Sequence, residues 1–451
     1  MQQNTLRFLV LRMQSHWLRG CSMSDLYRLL LLIFLFGTLS QDVWAQEAPP
    51  DEPQQTEEQA QTERIVEDRP PLYSIKRGGH PLTWLEVAFK PVLRSAEGGS
   101  IRNLASRKST SEKTSGIRFG FDGAGSGSGF GPEVTFFHKN FLGRNVDVEL
   151  PLLYTYKRYE VYQLNAHMPV ASQRFYGALS FDLGAGYRSR PQDDFYGFGN
   201  DSSVDNETQF RTVAREMSAG LSAKLSDYST AGIHGVYSRV GVTAPTSGVS
   251  AQDYFDSSST PGLQGGVTLR SLVFSIGRDN QQREKNAFRG GADRLEVSFN
   301  DGAGGEFQYW RYRLTSQHFF PLSSDARKVI AVRALLETNQ TTSGHSIPFF
   351  NMPALGSGQT LRGFQTSRFR DKTALALSLE YRYRIWPMID VGLFVDEGQV
   401  APQLGDLAMN GFHTGYGVRL FVWPKENSPI TFDYGRSGEM WRFYVNFKPR
   451  F

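Results

Sequence analysis

Apolar and polar residues alternate over long segments near the C-terminus, and this period of two constrains the fold more than any other feature. The last four such segments cover residues 373–385, 389–400, 412–423 and 440–451. Because successive side chains of a β-strand point to opposite faces, the pattern predicts strands with one apolar and one polar face. In the final segment the apolar face carries Trp441, Phe443, Val445, Phe447 and Phe451.

A membrane barrel explains these strands better than a soluble β-sandwich, although both give a period of two. The segments have the length that a tilted strand needs to cross a bilayer, and aromatic residues mark their ends. Aromatic residues make up 13% of the chain and its mean hydropathy is −0.39, which excludes a mostly disordered chain and a polytopic helical protein. We predict an all-β fold over residues 115–451, a transmembrane antiparallel β-barrel of about 16 strands.

The N-terminal segment carries an export signal. Four arginines precede the apolar run at 29–36, and the small residue Ala45 marks the expected cleavage site of a signal peptide over 1–45. The run is too short for the alternative, a transmembrane anchor, and Met23 is an alternative start. We expect a disordered acidic and Gln-rich linker over 46–80. Residues 81–114 are mildly amphipathic, and a short periplasmic helix and an extra strand both remain open.

Residues suited to catalysis or metal binding are scattered. The chain has one cysteine, Cys21, and its eight histidines stand singly, without the spacing of a metal site. The Gly-rich run at 123–131 does not fit a phosphate-binding loop and is typical of a hairpin connection. We therefore predict no enzyme, no metal and no cofactor. The net charge of +4 is not concentrated in a basic block, so we also predict no nucleic-acid partner.

One long polar connection, at about 339–372, contains the sequence Leu361-Arg362-Gly363-Phe364. A connection of this length is usually functional or disordered, and its apolar anchors argue against disorder. Arginine is suited to bidentate pairing with carboxylates. Glu380 and Asp396 lie on the polar faces of the two strands that follow. We expect the loop to fold into the barrel so that Arg362 reaches one or both acids. The alternative is a surface arginine in an external loop.

The motif loop, the segment RFRDKTALALSLEYRY at 368–383 and the final aromatic strand resemble those of the BamA/TamA outer-membrane family, the bacterial surface-antigen barrels. The resemblance implies a sixteen-strand barrel whose sixth external loop enters the lumen. It also implies that the motif arginine, here Arg362, contacts acids on inner strand faces, matching Glu380 and Asp396. In that family the first and last strands meet at a weak seam used to insert or export client proteins.

Members of that family usually carry periplasmic POTRA domains, and the segment before residue 115 has no room for one beside the signal peptide. We therefore expect a stand-alone barrel in the outer membrane of a Gram-negative bacterium, acting as a monomer. The expected partners are outer-membrane lipid and lipopolysaccharide, together with client outer-membrane or secreted proteins. Protein insertion or translocation is the function that the resemblance implies. A gated or passive pore with no assembly role is the alternative.

Overall fold

The computed structural model describes residues 114–125, 127–170, 179–281, 289–386, 388–425 and 428–447. The expected signal peptide with Ala45, the linker over 46–80, nearly all of 81–114 and the final residue Phe451 lie outside these ranges. The strands are β1 (Ser115–Asp122), β2 (Gly131–Phe141), β3 (Val146–Tyr154), β4 (Glu160–Val170), β5 (Leu179–Phe195), β6 (Thr208–Lys224), β7 (Ser229–Thr243), β8 (Gly265–Asp279), β9 (Gly290–Gly302), β10 (Gln308–Pro321), β11 (Lys328–Thr341), β12 (Ala354–Leu355), β13 (Phe369–Arg370), β14 (Thr373–Trp386), β15 (Ile389–Ala401), β16 (His413–Lys425), β17 (Ser428–Arg436) and β18 (Trp441–Phe447).

Sixteen of these strands form one antiparallel sheet in chain order, from β1 to β11 and then from β14 to β18. The sheet curls until β1 lies beside β18, although no hydrogen-bonded ladder joins these two edge strands within the described ranges. The prediction of an all-β antiparallel barrel of sixteen strands is therefore confirmed. One detail of the sequence reading was wrong: the four segments named there are not the last four, because β17 lies between two of them.

The two faces of the sheet differ as the alternation requires. Leu379, Leu393 and Val418 are exposed on the outward face, whereas the neighbouring Glu380 and Arg419 are buried on the inward face. Outward apolar side chains suit contact with lipid, and the hydrogen-bonded strands leave few backbone groups to be solvated there. Polar side chains are consequently gathered inside the barrel.

The two ends of the barrel differ in the length of their connections. The long connections, at 196–207, 244–264, 342–372 and 402–412, all lie at one end, which we call the loop end. The opposite turn end has short connections such as 142–145 and 225–228. Among the described residues, the helical segments of the loop end are one short α-helix, α1 (Ala251–Tyr254), and 3-10 turns at Val204–Asn206, Phe349–Asn351 and Leu404–Asp406. None of the described helices is long and apolar enough to cross a membrane.

Candidate functional site

The motif connection at 342–372 is anchored by aromatic packing at the loop end. The Phe349 ring lies 5.1 Å from the Phe195 ring and 4.7 Å from the Phe210 ring, measured between centroids. All three side chains are buried. The backbone N–H of Phe349 also donates to the carbonyl of Pro261 at 2.9 Å. The first part of the connection is therefore held by side chains of β5 and β6 and by the backbone of the connection between β7 and β8. It starts after Thr341, because Asn339 still belongs to β11.

The connection then narrows to a hairpin whose tip carries the motif. β12 and β13 pair antiparallel, Leu355 opposite Phe369, and close the base of the hairpin. Gly363 at the tip has a φ of +91°, and a Cβ there would lie 2.5 Å from the carbonyl carbon of Arg436. Below the tip, a Cβ on Gly415 of β16 would lie 1.9 Å from the carbonyl oxygen of Arg362. Glycine at both positions lets the tip lie directly on the inner barrel wall.

Arg362 binds Asp396 through three donors. Its Nε donates to Asp396 Oδ2 at 2.6 Å and its Nη2 to Oδ1 at 2.6 Å, which is a bidentate pair. Its backbone N–H donates to the same Oδ2 at 3.0 Å. Such a fork of charge-assisted hydrogen bonds is short and directional. The strand β15 that bears Asp396 therefore fixes both the side chain and the backbone of the motif arginine.

Three further groups complete the surroundings of the Arg362 guanidinium. Nη1 donates to Glu380 Oε2 at 3.1 Å, and Nη2 donates to Ser378 Oγ at 3.0 Å. The Ser378 hydroxyl in turn donates to Asp396 Oδ1 at 2.6 Å. The guanidinium carbon lies 3.4 Å from the centroid of the Phe394 ring, so the planar cation stacks on an aromatic face.

Glu380 is shared by three guanidinium groups. Arg382 Nε lies 2.6 Å from Oε1, and Arg419 Nη1 lies 3.1 Å from Oε2, the same oxygen that accepts from Arg362. Arg419 also pairs with Asp433, its Nη2 donating to Oδ2 at 2.7 Å. The motif arginine is thus one member of a charge network that spans β14 to β17 across the inner wall.

The network is removed from water. The side chains of Arg362, Glu380 and Asp396 are 3%, 0% and 1% exposed. Burial by itself would lower the pKa of Arg362, but the carboxylates of Asp396 and Glu380 together outweigh burial and raise that pKa above its ordinary value. A buried ion pair gains little over apolar residues, yet removing one partner typically costs about 3–5 kcal/mol. The geometry therefore penalises any movement that separates the loop from the wall.

The tip is also bound to β18 and to the connection that precedes it. The Gly363 N–H donates to the Tyr444 hydroxyl at 3.1 Å, and that hydroxyl donates to the carbonyl of Phe364 at 3.0 Å. Ser437 Oγ donates to the carbonyl of Gly363 at 2.8 Å. Tyr444 lies on β18, one of the two edge strands. The motif loop thus contacts the seam of the sheet directly.

A cavity of about 440 Å³ lies beside the tip. Its lining includes Arg362 and Arg333, together with Arg442, Tyr444 and Asn446 of β18. The cavity also reaches the connection between β1 and β2, so it borders both edge strands. Within the described residues, no group of three or more histidine, cysteine, aspartate or glutamate side chains is placed to hold a metal ion.

The structure brings the predicted residues of the motif and its acidic partners together. Leu361 and Phe364 are buried in an apolar cluster beside Arg362. Trp441 and Phe443 are exposed on the outward face of β18, Val445 is partly buried, and of Phe447 only the backbone is described. Sequence reasoning missed Ser378, Phe394, Arg382, Arg419 and Tyr444 as contacts. All five stand at inward positions of the alternation, which is the signal that marks them.

Known proteins resemble this chain over the barrel. The family model of the Omp85 superfamily domain matches residues 140–440. BamA from Haemophilus ducreyi lacking POTRA domains 1–3 is 15% identical, with a TM-score of 0.57 over 74% of this chain and 70% of that chain. CdiB from Acinetobacter baumannii is 11% identical, with a TM-score of 0.46 over 74% of this chain and 65% of that one. CdiB from Escherichia coli is 13% identical, with a TM-score of 0.47 over 74% and 62%. No curated protein sequence matches significantly.

Proposed function

The chain belongs to the Omp85 superfamily, and from that premise we propose that it inserts or translocates client proteins at the outer membrane. The family fold implies an outer-membrane barrel of a Gram-negative bacterium, and barrels of this family are generally not enzymes. External connections of such barrels are long and periplasmic turns are short, so the loop end faces the outside. The proposed clients are outer-membrane or secreted proteins.

The observation that carries the proposal is the bond between the motif tip and the edge strand β18. Tyr444 donates to the tip and accepts from it, while the ladder that would join β18 to β1 is absent from the described part of the sheet. An edge strand presents unpaired backbone groups to an incoming strand. A loop that holds β18 in place can therefore control whether this edge is available.

Exposed aromatic side chains on both edge strands support the same use. Phe119 of β1 and Phe443 of β18 are among the most exposed large apolar residues of the barrel. A client strand that pairs with either edge would also bury these rings. Backbone hydrogen bonds and burial of the aromatic rings would then both favour binding of the client strand to the edge.

The test is an insertion assay with the purified full chain in phospholipid vesicles. A urea-unfolded outer-membrane barrel is added, and its heat-modifiable folded band is measured over time. We expect faster folding than in empty vesicles and in vesicles holding the heat-denatured chain. Equal rates in all three vesicle types would overturn the insertion role. A translocation role would be scored in the same vesicles by protease protection of a secreted client.

The second candidate is a gated or passive pore, which the cavity beside the tip favours. In this case the motif loop acts as a plug, and its release opens a path through the lumen. Bilayer conductance separates the candidates, because a pore predicts large steady currents once Arg362→Ala releases the loop. An insertase predicts client folding whether or not such currents appear.

A further inference from the structure

Three neighbouring strands carry an exposed arginine at about the same level. We call Arg215 of β6, Arg239 of β7 and Arg270 of β8 the outer arginine row. Arg215 lies directly opposite Arg239 in the register of β6 and β7. Arg270 lies opposite Tyr237, two residues from Arg239 along β7. All three side chains are exposed.

The row faces lipid and not the lumen. Side chains two residues apart on a strand share a face, and Arg215, Arg239 and Arg270 each stand two residues from an exposed apolar residue. Those neighbours are Met217, Tyr237 and Leu272. The inward positions between them instead contribute to the lumenal wall.

The depth of the row matches the outer boundary of the hydrocarbon layer. Toward the turn end, the outward positions after each arginine are apolar or small: Met217, Ala219, Leu221 and Ala223 on β6, Tyr237, Gly235, Ile233 and Ala231 on β7, and Leu272, Phe274 and Ile276 on β8. Eight residues of a strand tilted by about 40° rise about 20 Å, which nearly fills the apolar band of an outer-membrane barrel. The row therefore lies above that band, on the loop end.

An aromatic pair marks the same level on the adjacent strands. Tyr187 of β5 lies directly opposite Arg215, and Tyr162 of β4 lies opposite Tyr187. The two tyrosine rings stack at 5.7 Å. Tyrosines on the outward face concentrate where the headgroups begin. The arginine row thus continues an aromatic girdle and lies at headgroup depth in the leaflet that faces outward.

The described part of the chain does not fully neutralise the row. Among the residues that the structure describes, the three guanidinium groups have no ion pair or hydrogen-bond partner. Asp301 lies opposite Arg270 and keeps its negative charge while its Oδ1 accepts from Gln308 at 3.2 Å, so the uncompensated positive charge of the row rests mainly on Arg215 and Arg239. Like charges directly opposite each other across a sheet are unfavourable. An anion from outside the chain would therefore relieve the repulsion between Arg215 and Arg239.

We propose that the outer arginine row binds the phosphate groups of lipopolysaccharide in the outer leaflet. Guanidinium forks bind phosphate oxygens in a bidentate manner, and directly opposed side chains are close enough for two forks to share one phosphate. A third fork on the next strand suits a lipid headgroup that bears a second phosphate. This site rests on the outer-membrane location given under Proposed function, but not on the insertion activity.

Binding is tested with the purified full chain in phosphatidylcholine nanodiscs and bis-phosphorylated lipid A, counted by native mass spectrometry. We expect the triple variant Arg215→Gln, Arg239→Gln and Arg270→Gln to bind lipid A at least about tenfold more weakly. The matched control carries Lys139→Gln, Arg144→Gln and Lys224→Gln, which remove the same charge at the turn end. We expect this control to bind lipid A as tightly as the unaltered chain does. Lipid A without phosphates should bind to none of the three proteins.

Equal binding by the triple variant, or an equal loss in the control, would overturn the site. Phosphatidylglycerol that competes as well as lipid A would overturn the assignment to lipopolysaccharide. The corresponding triple Arg→Lys variant keeps the charge but loses the forks, so we expect it to bind lipid A more weakly than the unaltered chain. This variant keeps the site testable if the glutamine variant folds poorly, and unchanged binding by a folded lysine variant would overturn the bidentate mode. Failed client insertion with intact lipid A binding would count against the proposed function alone.

Discussion

Replacing Arg362 with alanine should free the motif loop, because it leaves one carboxylate stranded inside the barrel. Asp396 would lose both side-chain hydrogen bonds from Arg362 and keep only the Ser378 hydroxyl and one backbone N–H. Glu380 would still be held by Arg382 and Arg419. The cost therefore falls on Asp396.

The magnitude follows from the burial of the pair. Removing one partner of a buried, hydrogen-bonded ion pair costs about 3–5 kcal/mol. If that energy appears in the opening of the loop, the open population rises by about two to three and a half orders of magnitude. Replacing Asp396 with asparagine as well removes the stranded charge. The double variant should therefore cost less than the sum of the two single variants by about 0.5–3 kcal/mol.

Hydrogen exchange of the full chain in nanodiscs measures this opening. The amides of Arg362 and Gly363 are both hydrogen-bonded to the wall, so a peptide that covers 356–368 reports on the loop. A peptide from β7 serves as the internal control for the barrel. Unchanged exchange in Arg362→Ala, or strict additivity with Asp396→Asn, would refute the stranded-charge reasoning.

The remaining predictions concern the same loop and the mature chain. Tyr444→Phe removes the hydroxyl that bridges the tip and β18. The free energy of opening the loop should therefore fall by about 1–3 kcal/mol, which speeds hydrogen exchange of the loop, while the heat-modifiable band of the barrel persists. Gly363→Ala should sharply lower the assembly yield, because Gly363 has a positive φ and lies against the wall. The control Gly405→Ala, where a Cβ would meet no neighbouring atom within 4 Å, should leave the yield unchanged. Equal yields of the two variants would contradict this prediction. Arg362→Lys should restore little of the exchange protection, since an ammonium cannot bind both carboxylates as a fork does. N-terminal sequencing of the membrane form should find cleavage after Ala45, and an uncleaved chain would exclude it.

Most of the fold could be predicted from the alternation of apolar and polar residues. Burial of one face of a strand imposes a period of two, and this holds regardless of which strand pairs with it. The alternation also placed Glu380 and Asp396 on the inward face, and the glycine after Arg362 indicated a tight turn. β17 was missed because it follows β16 after only two residues, so its start merges with a polar run. Alternation fixes which face a residue occupies, but the stagger of the strands decides which inward residues meet.

The Tyr444 contact shows that limit most clearly. Its hydroxyl meets Gly363, which lies 81 residues earlier in the chain. Only closure of the sheet brings the last strand beside the tip of the long connection. Neither residue has a local pattern that would reveal the other. The same holds for Arg419, whose inward position was predictable but whose place beside Glu380 depends on the register of three strands.

The bond between Tyr444 and the motif tip makes the seam and the loop one thermodynamic system. Any client that binds better when β18 has moved must also break the two hydrogen bonds of the Tyr444 hydroxyl. Linkage then requires the reciprocal effect: whatever releases the loop raises the affinity of the seam for that client by the same factor. By the same linkage, a ligand that holds the tip against the wall would lower the affinity of the seam for that client, although it binds away from the seam. Under the proposed insertion function, the position of the loop would therefore change with occupancy of the seam, and the affinity of the seam with the position of the loop.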